Sequence, residues 1–336
     1  MSTKESEPNI LVIGLGSMGK RRVRNLQTLG VKDIAGYDPR PDRRAEAETR
    51  YNIATYDNFA AAKSGGSTAW VISTPPLTHL DYALDAVDQG IHFFTEADLP
   101  DERGNMLVEK LSKSNIVGAP SCTMRFFPGP QKIRQLIENE KFGRPLIFTY
   151  HSGQHVEDWH PWETPSEFYV SNAETGAARE IVPFELIWLI DIFGDIKTAH
   201  ASFGRTGSLK EDIDDHYNVV IGFDGGVTGH LLVDSLSRPA VRHFRLICTG
   251  GIIEWNHDAG EIRWQEAGQE SWQCESLDAK TIETGYIHPE EPYIAEMRCF
   301  LDGIRDIAPY PYSYYEDERL LRAFELAEQN TMATPA

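Results

Sequence analysis

The chain has 336 residues, 41% hydrophobic and 25% charged, a length and composition that suit a globular protein of two domains with a substantial core. Acids outnumber bases 51 to 32, a formal net charge of −19 that opposes nonspecific binding to nucleic acid or to an anionic membrane. No window approaches the roughly 20 apolar residues that span a bilayer, and residues 1–8 lack the basic flank and apolar stretch of a secretory leader. The four cysteines, Cys122, Cys248, Cys274 and Cys299, are widely spaced and form no CxxC pattern, so a cytoplasmic protein with reduced thiols is expected.

Residues 9–14 read as a strand that feeds straight into Gly14-x-Gly16-x-x-Gly19, with a helix predicted over 18–29. Three demands coincide in such a turn. Gly14 permits the tight bend, Gly16 lets the backbone approach a pyrophosphate, and Gly19 lets helix and strand pack closely. The N–H groups and positive dipole end of the helix then face the phosphates. Glycine-rich turns also arise for packing alone, but here the flanking strand and helix fit a dinucleotide site.

The next predicted strand, 33–37, ends at Asp38, 19 residues beyond Gly19 and near the place of the acid that hydrogen-bonds an adenosine ribose. That carboxylate would repel a 2′-phosphate, which favours NAD over NADP. Arg40, Arg43 and Arg44 follow closely and can offset the repulsion. The alternative is that Asp38 caps the next helix, with Pro39 and Pro41 marking the turn.

Further strands are predicted at 69–73, 91–95 and 115–119, and helices near 41–51, 57–63, 78–89 and 101–113, with Gly30, Gly65 and Gly90 as stop signals. Alternating strands and helices imply a parallel sheet covered on both faces, with ligands at the carboxyl ends of its strands. From about residue 125 the pattern changes. A helix over 130–141 precedes alternating stretches at 145–153, 196–204, 216–223, 227–235, 242–249 and 252–255, which suit a larger, mainly antiparallel sheet. Residues 223–227 read as a hairpin turn. An apolar helix is predicted over 183–193 with Pro183 in its first turn, and helices near 291–306 and 316–330 finish the chain. The expected organisation is α/β: a dinucleotide-binding Rossmann domain over 1–124, then an α+β domain over 125–336 with a large open-faced sheet.

Several segments together resemble the glucose–fructose oxidoreductase / inositol dehydrogenase / MocA family. They are Ile13-Gly14-Leu15-Gly16-Ser17-Met18-Gly19, then Val71-Ile72-Ser73-Thr74-Pro75-Pro76-Leu77-Thr78-His79, then Phe94-Thr95-Glu96-Ala97-Asp98-Leu99-Pro100, and Thr175-Gly176-Ala177 through Phe193-Gly194. The resemblance implies that Gly14, Gly16, Ser17, Met18, Gly19, Asp38, Arg40, Thr74, Pro75, His79, Glu96 and Arg125 bind the dinucleotide, with Arg125 and Phe126 at the crevice between the domains. It also implies a sugar-like substrate and a homo-oligomer, dimer or tetramer, that covers the open sheet face.

The departures bear on chemistry. The family usually writes Glu-Lys-Pro where this chain has Glu96-Ala97-Asp98, and a His where aligning back from Gly194 places Phe184; Glu180 falls at the family's Asp position. Alanine and phenylalanine carry no proton, yet oxidising an alcohol requires a base, an effect of ~10²–10⁴-fold. Candidate replacements are Glu180, His155, His160 and Asp98. Beside them Trp159, Trp162, Tyr169, Arg179 and Phe184 suit a sugar-binding wall of aromatic faces and polar groups. Each has a plainer reading: a Trp packs, a His sits on the surface, and Asp98 is an exposed cap for the helix that begins near Glu102. A helix that starts at Pro183 leaves Glu180 outside it and puts Glu185 in the first turn, where the dipole favours an acid. His151 and His155 stand four apart, but on a strand this spacing forms no ligand face, and no metal is expected.

The leading expectation is therefore an NAD-dependent oxidoreductase acting on a sugar, sugar phosphate, nucleotide sugar or cyclitol. The alternatives are a dinucleotide-responsive binding or regulatory protein, and an enzyme that recycles bound NAD during elimination, epimerisation or glycoside cleavage.

Overall fold

The computed structural model describes residues 8–159, 164–277, 282–283 and 289–330. The chain divides into two units, Met1–Ser121 with Glu290–Glu318, and Cys122–Pro289 with Arg319–Ala336. Among the described residues no helix is long and apolar enough to cross a membrane.

The first unit is built on β1 (Ile10–Ile13), α1 (Ser17–Thr28), β2 (Ile34–Tyr37), α2 (Pro41–Tyr51), β3 (Ala54–Tyr56), α3 (Phe59–Lys63), β4 (Ala69–Ile72), α4 (His79–Gln89), β5 (His92–Thr95), α5 (Gly104–Ser112) and β6 (Gly118–Pro120). All six strands are parallel, in the order β3-β2-β1-β4-β5-β6, the doubly wound arrangement expected from the sequence. β1 and β4 are buried along their whole length because helices cover both faces. β3 was not anticipated: three residues at a sheet edge are too few to show a period of two. Gly66, not Gly65, takes the positive φ after α3. The sequence reading drew a single cut at 124/125, whereas the unit is discontinuous. It includes α8 (Glu291–Ile304), whose Met297, Phe300 and Leu301 share a core with Ile10, Val12 and Val23.

The second unit opens with α6 (Pro128–Glu138) and β7 (Pro145–Gly153), followed by α7 (Ala177–Phe193) and β8 (Ile196–Gly204). The strands β9 (His216–Phe223), β10 (Thr228–Asp234), β11 (Val241–Cys248), β12 (Gly251–Asn256), β13 (Glu261–Glu266) and β14 (Gln273–Ser276) follow. The eight strands run β14-β13-β12-β11-β7-β10-β9-β8, with β7 and β10 the parallel pair and the other pairings antiparallel. The 223–227 turn closes the β9–β10 hairpin, Phe223 N–H donating to the Val227 carbonyl at 2.8 Å. Alternation is plain in β9, where Tyr217, Val219, Ile221 and Phe223 are buried. Trp188 of α7 packs edge-on against Tyr150, Phe244 and Trp255 on that inner face. The opposite face exposes Ile147, Val220 and Ile247. β13 and β14 escaped the sequence reading because they are polar strands at one edge, β14 being exposed throughout. A last helix, α9, spans Tyr314–Gln329.

α7 corrects one expectation. It begins at Ala177, behind Gly176, and continues through Pro183 instead of starting there. A proline inside a helix removes one hydrogen bond, but Val182, Leu186, Ile187, Trp188 and Leu189 are all buried, and that packing holds the helix together. Glu180 is consequently the acid of the first turn. Glu185, read as a dipole-favoured first-turn acid, lies mid-helix and fully buried.

Candidate functional site

The glycine turn behaves as its sequence predicts. Gly14 has φ +89°, and a Cβ there would lie 2.5 Å from the Ser73 carbonyl oxygen. A Cβ at Gly19 would lie 1.8 Å from the Gly14 carbonyl oxygen, so helix and turn touch. At Gly16 a Cβ would meet only the Arg43 guanidinium, 3.3 Å away, so backbone is approachable past a flexible side chain. Gly16 is also the N-cap of α1 and provides no side-chain cap. These residues fit a dinucleotide pyrophosphate at the helix start.

Asp38 is 3% exposed. Its Oδ2 accepts the Leu15 N–H and its Oδ1 the Arg40 N–H, each at 2.8 Å, so it fastens the glycine turn to the start of α2. The N-cap of α2 is Arg40 and no side chain caps that helix, so Asp38 is not its cap but a tie between the two segments. The side chain of Arg40 pairs with Asp42, and Arg44 donates to the carbonyls of Asp38 and Pro39.

At the ends of β4 and β5 the candidate residues are held from beneath. Arg22, fully buried on α1, makes two parallel hydrogen bonds to Glu96, 2.7 and 2.8 Å, and reaches Glu296 at 2.8 Å. Ser73 Oγ donates to the same Glu96 at 3.2 Å. Thr74 Oγ1 accepts a hydrogen bond from Thr78 Oγ1 at 2.8 Å, and Pro75 precedes the short 3-10 turn of Pro76–Thr78. Sequence reasoning missed Arg22; an arginine three residues beyond the last glycine, on a helix face that must pack, was the available signal. Asp98 is not the exposed cap considered above: it is 5% exposed and sits 2.6 Å from His79 Nδ1, while α5 is preceded by Arg103. His79, assigned to the cofactor, is 1% exposed, and its Nε2 donates to the Thr74 carbonyl at 2.7 Å.

In the second unit Tyr169 OH donates to Glu180 Oε1 at 3.1 Å. Burial pushes the Glu180 carboxyl up to about 8, against the smaller opposing effect of that hydrogen bond. It therefore stays protonated at neutral pH and can give or take a proton near it. The other polar candidates of this unit have partners of their own. Arg179 pairs with Glu328 through two 2.8 Å contacts. His155 Nδ1 accepts the Glu157 N–H at 3.3 Å as the cap of a short turn, and Trp159 packs with Val156, Val170, Ala177 and Ile213. Arg125 pairs with Asp191 at 3.2 Å and donates to the Ile187 carbonyl. Phe184 is half-buried on α7. His160 and Trp162 lie outside the described residues.

Glu185 is the buried acid that sequence reasoning set aside. It accepts from Tyr150 OH, from Ser152 Oγ at 2.8 Å and from Arg242 at 2.7 and 3.1 Å, which joins α7 to β7 and β11. Only strand pairing brings Tyr150, Ser152 and Arg242 to one place. No group of three or more metal-ligating side chains occurs among the described residues.

Residues 8–102 match the oxidoreductase family with an NAD-binding Rossmann fold, and residues 131–254 match the GFO/IDH/MocA C-terminal domain. The chain belongs to the GFO/IDH/MocA oxidoreductase family. An oxidoreductase of Formosa agariphila is 24% identical over 227 residues, covering 64% of this chain and 68% of that protein. The scyllo-inositol 2-dehydrogenase (NAD(+)) of Bacillus subtilis is 26% identical over 150 residues, 43% of this chain and 44% of its own. Among solved structures, levoglucosan dehydrogenase in complex with NADH and levoglucosan superposes with a TM-score of 0.83 at 18% identity, covering 97% of each chain. An oxidoreductase from Agrobacterium radiobacter, in complex with NAD+, L-tartaric acid and magnesium, gives 0.83 at 15% identity over 97% of this chain and 96% of that one. At such identities the superpositions bear on the fold.

Proposed function

We propose that this oxidoreductase is an NAD-linked dehydrogenase of a sugar-like substrate (sugar, sugar phosphate, nucleotide sugar or cyclitol), with Glu180 moving the hydroxyl proton. The observation that carries the reading is the Glu180 carboxyl, held by Tyr169 and raised to about 8, where one group can serve as base for oxidation and as acid for reduction. Bound NAD would supply the hydride acceptor. The turn at Gly14, Gly16 and Gly19 would hold its pyrophosphate, and the Asp38 carboxylate disfavours a 2′-phosphate, so NADH should bind more tightly than NADPH. Relatives named for inositol and levoglucosan support the substrate class.

NADH formation measured against a panel of polyols, sugars and sugar phosphates tests this. Glu180→Gln should lower kcat by ~10²–10⁴-fold, and an unchanged rate would remove Glu180 from the reaction. Ala97 and Phe184, which carry no proton, favour a second reading in which the dinucleotide is kept without net turnover. Tight NADH binding with no activity on any member of the panel would establish that alternative. The proposal extends to self-association through the sheet face that exposes Ile147, Val220 and Ile247.

A further inference from the structure

β4 and β5 are parallel neighbours, with Ile72 beside Thr95, so the segments 73–75 and 96–98 leave the sheet side by side at its carboxyl edge. His79, the first residue of α4, spans them. Its Nδ1 meets Asp98 Oδ1 at 2.6 Å and its Nε2 meets the Thr74 carbonyl at 2.7 Å. Behind Asp98, Thr95 Oγ1 donates to Oδ2 at 3.3 Å and in turn lies 2.5 Å from the Tyr314 hydroxyl. Five groups from four stretches of chain thus form one line, buried from His79 to Tyr314.

Donor and acceptor chemistry orients that line. The Thr74 carbonyl can only accept, so His79 Nε2 donates to it, and one proton is shared along the 2.6 Å contact between His79 Nδ1 and Asp98 Oδ1. Burial alone would depress this imidazole, but the Asp98 charge and hydrogen bond, with the Thr74 carbonyl, outweigh it and raise the pKa. A buried ion pair is a poor device for stability, because apolar residues of similar size usually do as well or better. What apolar residues cannot do is fasten the Thr74 backbone to the segment that follows β5. A proline at position 98, as the family resemblance expects, would have no carboxylate, so this link belongs to the chain's own departure.

We propose that the His79–Asp98 pair is a clamp that sets segments 73–75 and 96–98 in the positions dinucleotide binding requires, a positioning role that rests on the cofactor reading above. Neither side chain is required to touch the cofactor. The pair acts through the Thr74 backbone on one side and through the segment carrying Glu96 on the other.

NADH titrations followed by fluorescence, with thermal melting of each variant, test this. The wild-type chain should bind NADH; failure to bind would overturn the cofactor reading and this proposal with it. The double variant His79→Leu/Asp98→Leu should melt at or above the wild-type temperature yet bind NADH at least about tenfold more weakly, which a merely structural pair would not do. Wild-type affinity in that variant overturns the clamp. Should the double variant fail to fold, Asp98→Ala keeps the question decidable, with at least about tenfold loss supporting the clamp and unchanged affinity rejecting it. Asp98→Asn can still hydrogen-bond His79 and Thr95 and should recover most of the affinity lost in Asp98→Ala; no recovery would reject a hydrogen-bonded clamp.

Discussion

Glu180 owes its raised pKa to burial, and the sign of each consequence follows. Its carboxyl moves from 4.5 to about 8, so between those values the unfolded chain has released a proton that the folded chain retains, and stability falls as pH rises. Below 4.5 both states are protonated and above about 8 both are ionised, so the difference is constant at either end. Glu180→Gln should therefore melt progressively higher than wild type across that interval and hold its advantage above it; equal melting temperatures at every pH would contradict the burial. The oxidation rate of the wild type should rise with pH through about 8 and the reduction rate should fall. Residue type, together with its place at the family's Asp position, singled out Glu180. Residue type by itself did not distinguish Glu180 from Arg179, Arg125 or His155, whose polar atoms are occupied by Glu328, by Asp191 and by the backbone of Glu157.

Two helices show what the packing of an element demands. α1 begins against the glycine turn so closely that Gly19→Ala must displace it, since the new Cβ would sit 1.8 Å from the Gly14 carbonyl oxygen. The expected result is a cost of ~1–3 kcal/mol or more in urea unfolding and loss of NADH binding. α7 is pinned to its sheet by Glu185, and Glu185→Ala should cost ~3–5 kcal/mol because it withdraws the carboxylate facing buried Arg242. A loss below about 1 kcal/mol would show that the cluster does not hold the helix. Strands that bury one face, such as 145–153 and 216–223, were legible in the sequence to the residue, because burying one face imposes an alternating pattern along most of their length. The short edge strand β3 and the polar edge strands β13 and β14 bury too little to leave one. Pro183 misplaced the start of α7, since a local rule for helix starts yielded to the burial of the helix behind it.

Across the molecule acids outnumber bases 51 to 32, while the β7, β9 and β11 face exposes Ile147, Val220 and Ile247. On the proposed self-association, Val220→Asp with Ile147→Asp should convert an assembled species to monomers in size-exclusion chromatography without loss of the melting transition; an unchanged elution volume would remove this face from the proposal. Local order was readable from the chain alone: the glycine turn, the alternation of strand and helix, and the change of pattern near residue 125 all express short-range sterics and the burial of one face. Long-range pairing was not. Arg22 meets Glu96 and Glu296, His79 meets Asp98, and Glu185 meets Tyr150 and Arg242 only once the sheets have formed and the helices have docked. A charge buried without its partner is too costly to persist, so each such residue found an opposite charge or a hydrogen bond far away in sequence, and no spacing along the chain encodes which one.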